Sequence, residues 1–152
     1  MCWCSITSFL DNSIKVFSIL GIVLALWQYR INSRREKSKW LSELHESFFV
    51  NQTYKEIRKY IDYETGEFET LKSILGRSEQ VDLQEKFVDY LNFFEFISTL
   101  EKLGQLSINE VNLTFGYYLR LIGEYEFIIR FIENNGFTNL KSLIKRSNNL
   151  NK

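Results

Sequence analysis

Between Leu83 and Ile132 the chain repeats large apolar residues every three or four positions, and few folds accept that pattern. In VDLQEKFVDYLNFFEFISTLEKL the series is Leu83, Phe87, Leu91, Phe94, Ile97 and Leu100. In INEVNLTFGYYLRLIGEYEFIIRFIEN it is Val111, Phe115, Tyr118, Ile122, Tyr125, Ile129 and Ile132. This is the period of a helix face. The stretch therefore predicts an antiparallel helical hairpin that buries aromatic side chains between its arms. The joint Gly104-Gln105-Leu106-Ser107 carries its own signals. Gly104 suits a left-handed helix stop. Ser107 and Glu110 form a capping box, with Leu106 and Val111 placed to close a hydrophobic staple. Asn134-Asn135-Gly136 ends the second arm, and Phe137, Leu140, Leu143 and Ile144 lead into a last helix that frays beyond Lys145. With no proline and 7 glycines in 152 residues, nothing interrupts long helices, and an all-α fold is expected.

The N-terminal third has a different character. VFSILGIVLALWQY, Val16 to Tyr29, carries no charge. It gives about 21 Å of helix, against a hydrocarbon core of roughly 30 Å. Counting back to Phe9 gives about 31 Å and takes in Asp11 and Lys15, which can sit at the headgroup level or snorkel. Trp27 and Tyr29 suit the opposite interface. A transmembrane helix over 9–29 is expected, with a helix buried in a soluble core as the alternative. A cleaved signal peptide carries its charge before the apolar run, whereas here Arg30, Arg34 and Arg35 come after it.

Arg30, Arg34, Arg35, Lys37 and Lys39 stand against a single Glu36. Positive residues stay on the cytoplasmic side. This predicts an N-terminus outside, a basic juxtamembrane stalk over 30–48, and a cytosolic helical domain over 49–146 at a bacterial inner (plasma) membrane. The same cluster can meet membrane lipid of negative charge. Over the whole chain 19 basic residues balance 19 acidic ones, which removes the electrostatic case for general nucleic-acid binding. Trp40, Leu41, Leu44 and Phe48 carry the helical period into the stalk, and His45 is a helix-surface residue without an identifiable catalytic partner.

Asn51 to Tyr63 reads as a short helix capped by Asn51 or Thr53, with Tyr54, Ile57, Tyr60 and Ile61 as its buried stripe and Arg58 and Lys59 beside it. Phe68, Leu71, Ile74 and Leu75 mark another helix ending at Gly76. Arg120 with Glu124, and Glu126 with Arg130, have intrahelical ion-pair spacing. Gly116 and Gly123 mark close helix packing, within a bundle or between copies.

The run Tyr90-Leu-Asn-Phe-Phe-Glu-Phe, then Gly104, Phe115-Gly-Tyr-Tyr-Leu, and Gly136-Phe137 with Leu140, resembles a bacterial family of domains of unknown function. Its members are short proteins with one N-terminal membrane helix, a basic juxtamembrane segment and a helical cytoplasmic domain. The resemblance implies that fold and topology, and it places the family's Asn-x-x-Glu pair at Asn92 and Glu95 and its acidic second-arm start at Glu110. It carries no activity. Loosely similar membrane-anchored helical proteins are associated with antiphage defence, which is an analogy.

No phosphate loop, nucleophile elbow, zinc-binding helix or calcium loop is present. Cys2 and Cys4, the only cysteines, make neither a disulfide framework nor a four-ligand zinc site, so neither a cofactor nor an enzymatic role is expected. Asn92 and Glu95 form either a polar stripe, a buried pair with Glu95 bonded to Arg58 or Arg120, or part of a pocket. Three functions remain: a membrane-anchored, self-associating interaction or effector module; a sensor whose cytosolic domain binds a small anionic ligand such as a nucleotide second messenger through Arg58, Lys59, Tyr117, Tyr118, Arg120, Lys141, Lys145 and Arg146; or a soluble helical protein.

Overall fold

A computed structural model describes residues 3–62, 71–73 and 81–150, with side chains from residue 18 onward. The described residues are helical, without strands. Among the described residues six helices come in order: α1 (Trp3–Val50), α2 (Gln52–Asp62), α3 (Val81–Lys102), α4 (Ile108–Glu124), α5 (Glu126–Asn134) and α6 (Thr138–Leu150). A single helical turn covers 71–73. The chain divides into two compact units, Met1–Glu46 and Ser47–Lys152. The helix expected to end at Gly76 lies outside the described residues apart from that turn.

The expected transmembrane helix over 9–29 is corrected. Among the described residues no helix is long and apolar enough to cross a membrane. From Ser18, where side chains are first described, the uncharged run ends at Tyr29. That is about 18 Å of helix, well short of a hydrocarbon core of about 30 Å. Reaching full length required the stretch back to Phe9, including Asp11 and Lys15, whose side chains lie outside the described residues. Past Tyr29 the helix does not break, and α1 continues without interruption through the basic segment to Val50.

In the second unit, local chemistry sets each helix boundary. The Asn51 carboxamide oxygen accepts from the Tyr54 amide at 3.2 Å and caps α2. At the end of α3, Gly104 takes φ +71°. Its amide bonds to the Glu101 carbonyl at 3.0 Å and the Gln105 amide to the Leu100 carbonyl at 2.9 Å, a Schellman stop. The Ser107–Glu110 capping box forms, over buried Leu106 and Val111. Gly136, at φ +81°, ends α5 in the same manner, with the Phe137 amide on the Ile132 carbonyl at 3.1 Å. Two boundaries differ from expectation. The second arm is not continuous, because Tyr125 leaves helical geometry at φ −96°, ψ 106° and separates α4 from α5. The last helix does not fray after Lys145. It runs to Leu150 and buries Leu140, Leu143, Ile144 and Ser147.

Those burials decide the architecture. All six predicted stripe residues of α3 are buried, and Val111, Phe115, Ile122 and Ile132 on the second arm with them. Yet the arms do not simply close on each other. α6 packs against α3, α4 and α5, while α2 covers α3 and α4. The end of α1 supplies the centre. Phe48 is fully buried, its ring 5.0 Å from those of Phe93 and Tyr118 and 5.4–5.5 Å from those of Phe94 and Phe115. Edge-to-face pairs in this range add to the burial free energy of the rings.

Candidate functional site

The polar groups of the second unit converge where α2 meets α3 and α4. Arg58 is buried with 7% exposure. Its guanidinium donates to the carbonyls of Phe48 and Phe49, the latter at 3.1 Å. It also lies 4.7 Å from the Phe48 ring centre, 5.0 Å from that of Phe49 and 5.9 Å from that of Tyr118. A helix leaves its last carbonyls unpaired, so this arginine caps α1 from the neighbouring helix. The charge is satisfied by backbone dipoles and aromatic faces.

One turn along α2 stands Asp62. One of its carboxylate oxygens, Oδ1, is buried without a hydrogen-bond partner among the described residues, as is the hydroxyl of fully buried Tyr90. Burial pushes the Asp62 carboxyl above its ordinary value, against the opposing pull of the Tyr117 hydroxyl bonded to it and of the Arg58 charge. The same burial, reinforced by the Asp62 charge, holds the hydroxyls of Tyr90, Tyr117 and Tyr118 above theirs, Tyr90 the furthest. Tyr125 closes the edge, its hydroxyl donating to the Ile61 carbonyl at 3.4 Å. The sequence left Asp62 unremarked. Its signal is positional: it lies four residues after Arg58 on the face that buries Ile57 and Ile61.

Of the residues expected to hold an anion, four gather here. Tyr117 and Tyr118 rings are 5.1 Å apart, Tyr118 faces Arg58, and the Arg120 guanidinium lies 5.7 Å from the Tyr117 ring centre while pairing with Glu124 at 3.6 Å. Lys59 is exposed on the other side of α2, in a shallow depression of about 450 Å³ with Gln52, Lys55, Glu56 and Tyr60. The tail residues do not join them. Lys141 pairs with Glu133 at 2.6 Å, Arg146 with Glu101 of α3, and Lys145 is exposed on α6.

Asn92 and Glu95 are not a buried pair, nor does Glu95 meet either arginine. Asn92 is exposed. Glu95 accepts from the amides of Asn139 at 3.2 Å and Leu140 at 2.7 Å, and caps the first turn of α6, where a carboxylate also meets the positive end of the helix dipole. The two side chains diverge because a three-residue step turns a helix through about 300°, enough to put one on the solvent side and the other at the joint with α6. Among the described residues, no group of three or more His, Cys, Asp or Glu is placed to hold a metal ion.

The first unit presents a different surface. Ile19, Leu20, Ile22, Val23, Leu24, Leu26 and Trp27 are exposed by 52–62%. The basic residues come at once after them: Arg30, Arg34, Arg35 and Lys39 are exposed and Lys37 half-buried, with Lys39 3.8 Å from Glu43.

Residues 15–109 match the family described as a domain of unknown function, DUF4760, and the chain belongs to that family. Comparison with curated proteins and with solved structures finds no match.

Proposed function

We propose that this DUF4760 protein is a non-enzymatic helical module that works against membrane lipid, with α1 as the lipid-engaging element and the second unit as the interaction body. The observation that carries this reading is the exposed apolar run Ile19–Trp27. Side chains of this kind gain about 1.5–3 kcal/mol each on leaving water, and a helix apolar on every side is ordinarily covered. Lipid is favoured as the cover because five basic residues come next against one Glu36. Acyl chains and phosphate headgroups succeed each other in the same order at a membrane surface. The finer parts of the proposal are the bacterial inner membrane as the site of action, self-association, the LNFFE…FGYYL core as the family's signature, and an effector role in antiphage defence. The location, the self-association and the effector role depend on the membrane reading; the core signature stands apart from it, and only its LNFFE half lies within the matched residues 15–109.

Binding of an anionic ligand at Arg58, Tyr117, Tyr118 and Arg120 is the weaker reading. Arg58, the most enclosed cation of that group, already donates to two backbone carbonyls, and the Asp62 carboxylate beside it would repel an anion.

Fractionation of cells expressing the full chain tests the membrane reading. The protein should sediment with membranes and stay there through a high-salt wash, needing detergent for release. Recovery in the supernatant after salt alone would overturn it.

A further inference from the structure

The register of α1 aligns its charges with its apolar residues. Leu20, Val23, Trp27, Arg30, Arg34, Lys37, Leu41 and Leu44 recur at alternating steps of three and four, the spacing that keeps side chains on one helix face. α1 is continuous over this length. The face therefore reads apolar, basic, apolar, with Arg30 and Arg34 exposed. Arg35 and Lys39 lie off this row, and Lys39 is partly engaged by Glu43.

We infer that exposed Arg30 and Arg34 form a row on this face of α1 that binds the phosphate headgroups of anionic glycerophospholipids, next to the apolar run. The proposal rests on the membrane reading above. Two features commit the row to lipid. Trp27 and Tyr29, 61% and 72% exposed, immediately precede it, as amphipathic aromatics do at an acyl–headgroup boundary. Finally, the same alternation is a coiled-coil seam, and parallel pairing with a second copy would set Arg30, Arg34 and Lys37 against their own counterparts. Like charges in a seam disfavour that partner, whereas an anionic headgroup neutralises Arg30 and Arg34.

The test uses the purified full chain with vesicles of phosphatidylcholine alone or mixed with phosphatidylglycerol, in two double variants of equal charge. Each basic residue at an anionic surface contributes about fivefold in affinity. R30Q/R34Q should therefore lose roughly 25-fold on the mixed vesicles, R35Q/K39Q less than about threefold, and neither should change on phosphatidylcholine alone. Equal losses from the two doubles would overturn the row. Equal wild-type binding to both vesicle types would overturn headgroup recognition while leaving the membrane reading intact, and absence of binding to either would overturn both. Inorganic phosphate added at constant ionic strength should not displace the protein. Displacement would assign the row to free phosphate instead. A dimer in buffer that R30Q/R34Q strengthens and that anionic vesicles fail to dissociate would assign the face to a second copy.

Discussion

Arg58 grips the end of α1 at Phe48 in two ways at once: its guanidinium donates to the Phe48 carbonyl and lies 4.7 Å from the centre of the Phe48 ring. A buried cation stays in a protein only when its desolvation is compensated, and here backbone and aromatic groups compensate it together. Because the Phe48 ring is also the hub of the aromatic core, Arg58 locks the last turn of α1 to α2.

Truncating that grip should be expensive. Arg58→Ala is expected to destabilise the protein by about 2–4 kcal/mol, since it removes charge-assisted bonds and leaves buried carbonyls unpaired. Arg58→Lys should recover only part of this, because a single ammonium cannot reproduce the planar fork. Lys59→Ala, one residue along on the exposed side, should stay within about 0.5 kcal/mol. Urea unfolding of the full chain gives all three values. A neutral Arg58→Ala would mean that the arginine is not committed to α1.

Asp62 gives the protein a pH dependence of defined sign. Burial raises its folded-state pKa above 3.8, so the folded protein retains this proton where the unfolded chain has lost it. The associated stability is fully present below that value and is lost as pH rises through the folded pKa. Asp62→Asn removes the charge while keeping the shape. The variant should match the wild type at about pH 3 and be the more stable of the two at about pH 7. Paired denaturation curves at the two pH values check this, and a variant less stable than wild type at neutral pH would show that the Tyr117 and Arg58 interactions outweigh burial.

Glu95 and Asn92 separate a cap from an exposed side chain. Glu95→Ala leaves the Asn139 and Leu140 amides of α6 without their acceptor and should cost about 1–2 kcal/mol. Asn92→Ala should cost less than about 0.5 kcal/mol. Thermal melts of the two variants are sufficient. Equal losses would put Asn92 back in a buried pair.

Legibility in the sequence depended on distance along the chain. The α3 stripe from Leu83 to Leu100, the Asn51 cap, the Gly104 stop and the Ser107–Glu110 box were readable because each involves partners within a few residues. Glu95 bonds to amides more than forty positions away, which no local spacing encodes, so its role was open to several readings. Phe48 was placed on a stalk by the period of Trp40, Leu41 and Leu44, and only the folded chain puts its ring among Phe93, Phe94 and Phe115. The polar tail after Lys145 suggested fraying, yet Ser147 is buried and donates to the Asn112 side chain at 2.7 Å. In a helix this polar, tertiary packing holds what composition disfavours. The transmembrane expectation failed for a related reason. It relied on adding charged residues to an uncharged run too short by itself.

Gly123 tests how tightly α4 lies on α6. A Cβ at this position would fall 2.8 Å from Cγ2 of Ile144 and 3.0 Å from Nδ2 of Asn148. Ile144 is buried with 4% exposure, and its branched Cβ leaves little rotamer freedom inside a helix, so the isoleucine cannot swing aside. Gly123→Ala should therefore destabilise by about 1–3 kcal/mol, even though alanine is the better helix former by about 1 kcal/mol. Gly21→Ala meets nothing within 4 Å and should leave stability unchanged or raise it. The clash has a further signature. Ile144→Ala alone opens a cavity, but in the presence of Gly123→Ala it also relieves the collision, so the double variant should cost less than the two single losses combined. Strict additivity in chemical denaturation would mean that Gly123 is not held against Ile144 and that α6 packs more loosely on α4 than the structure has it.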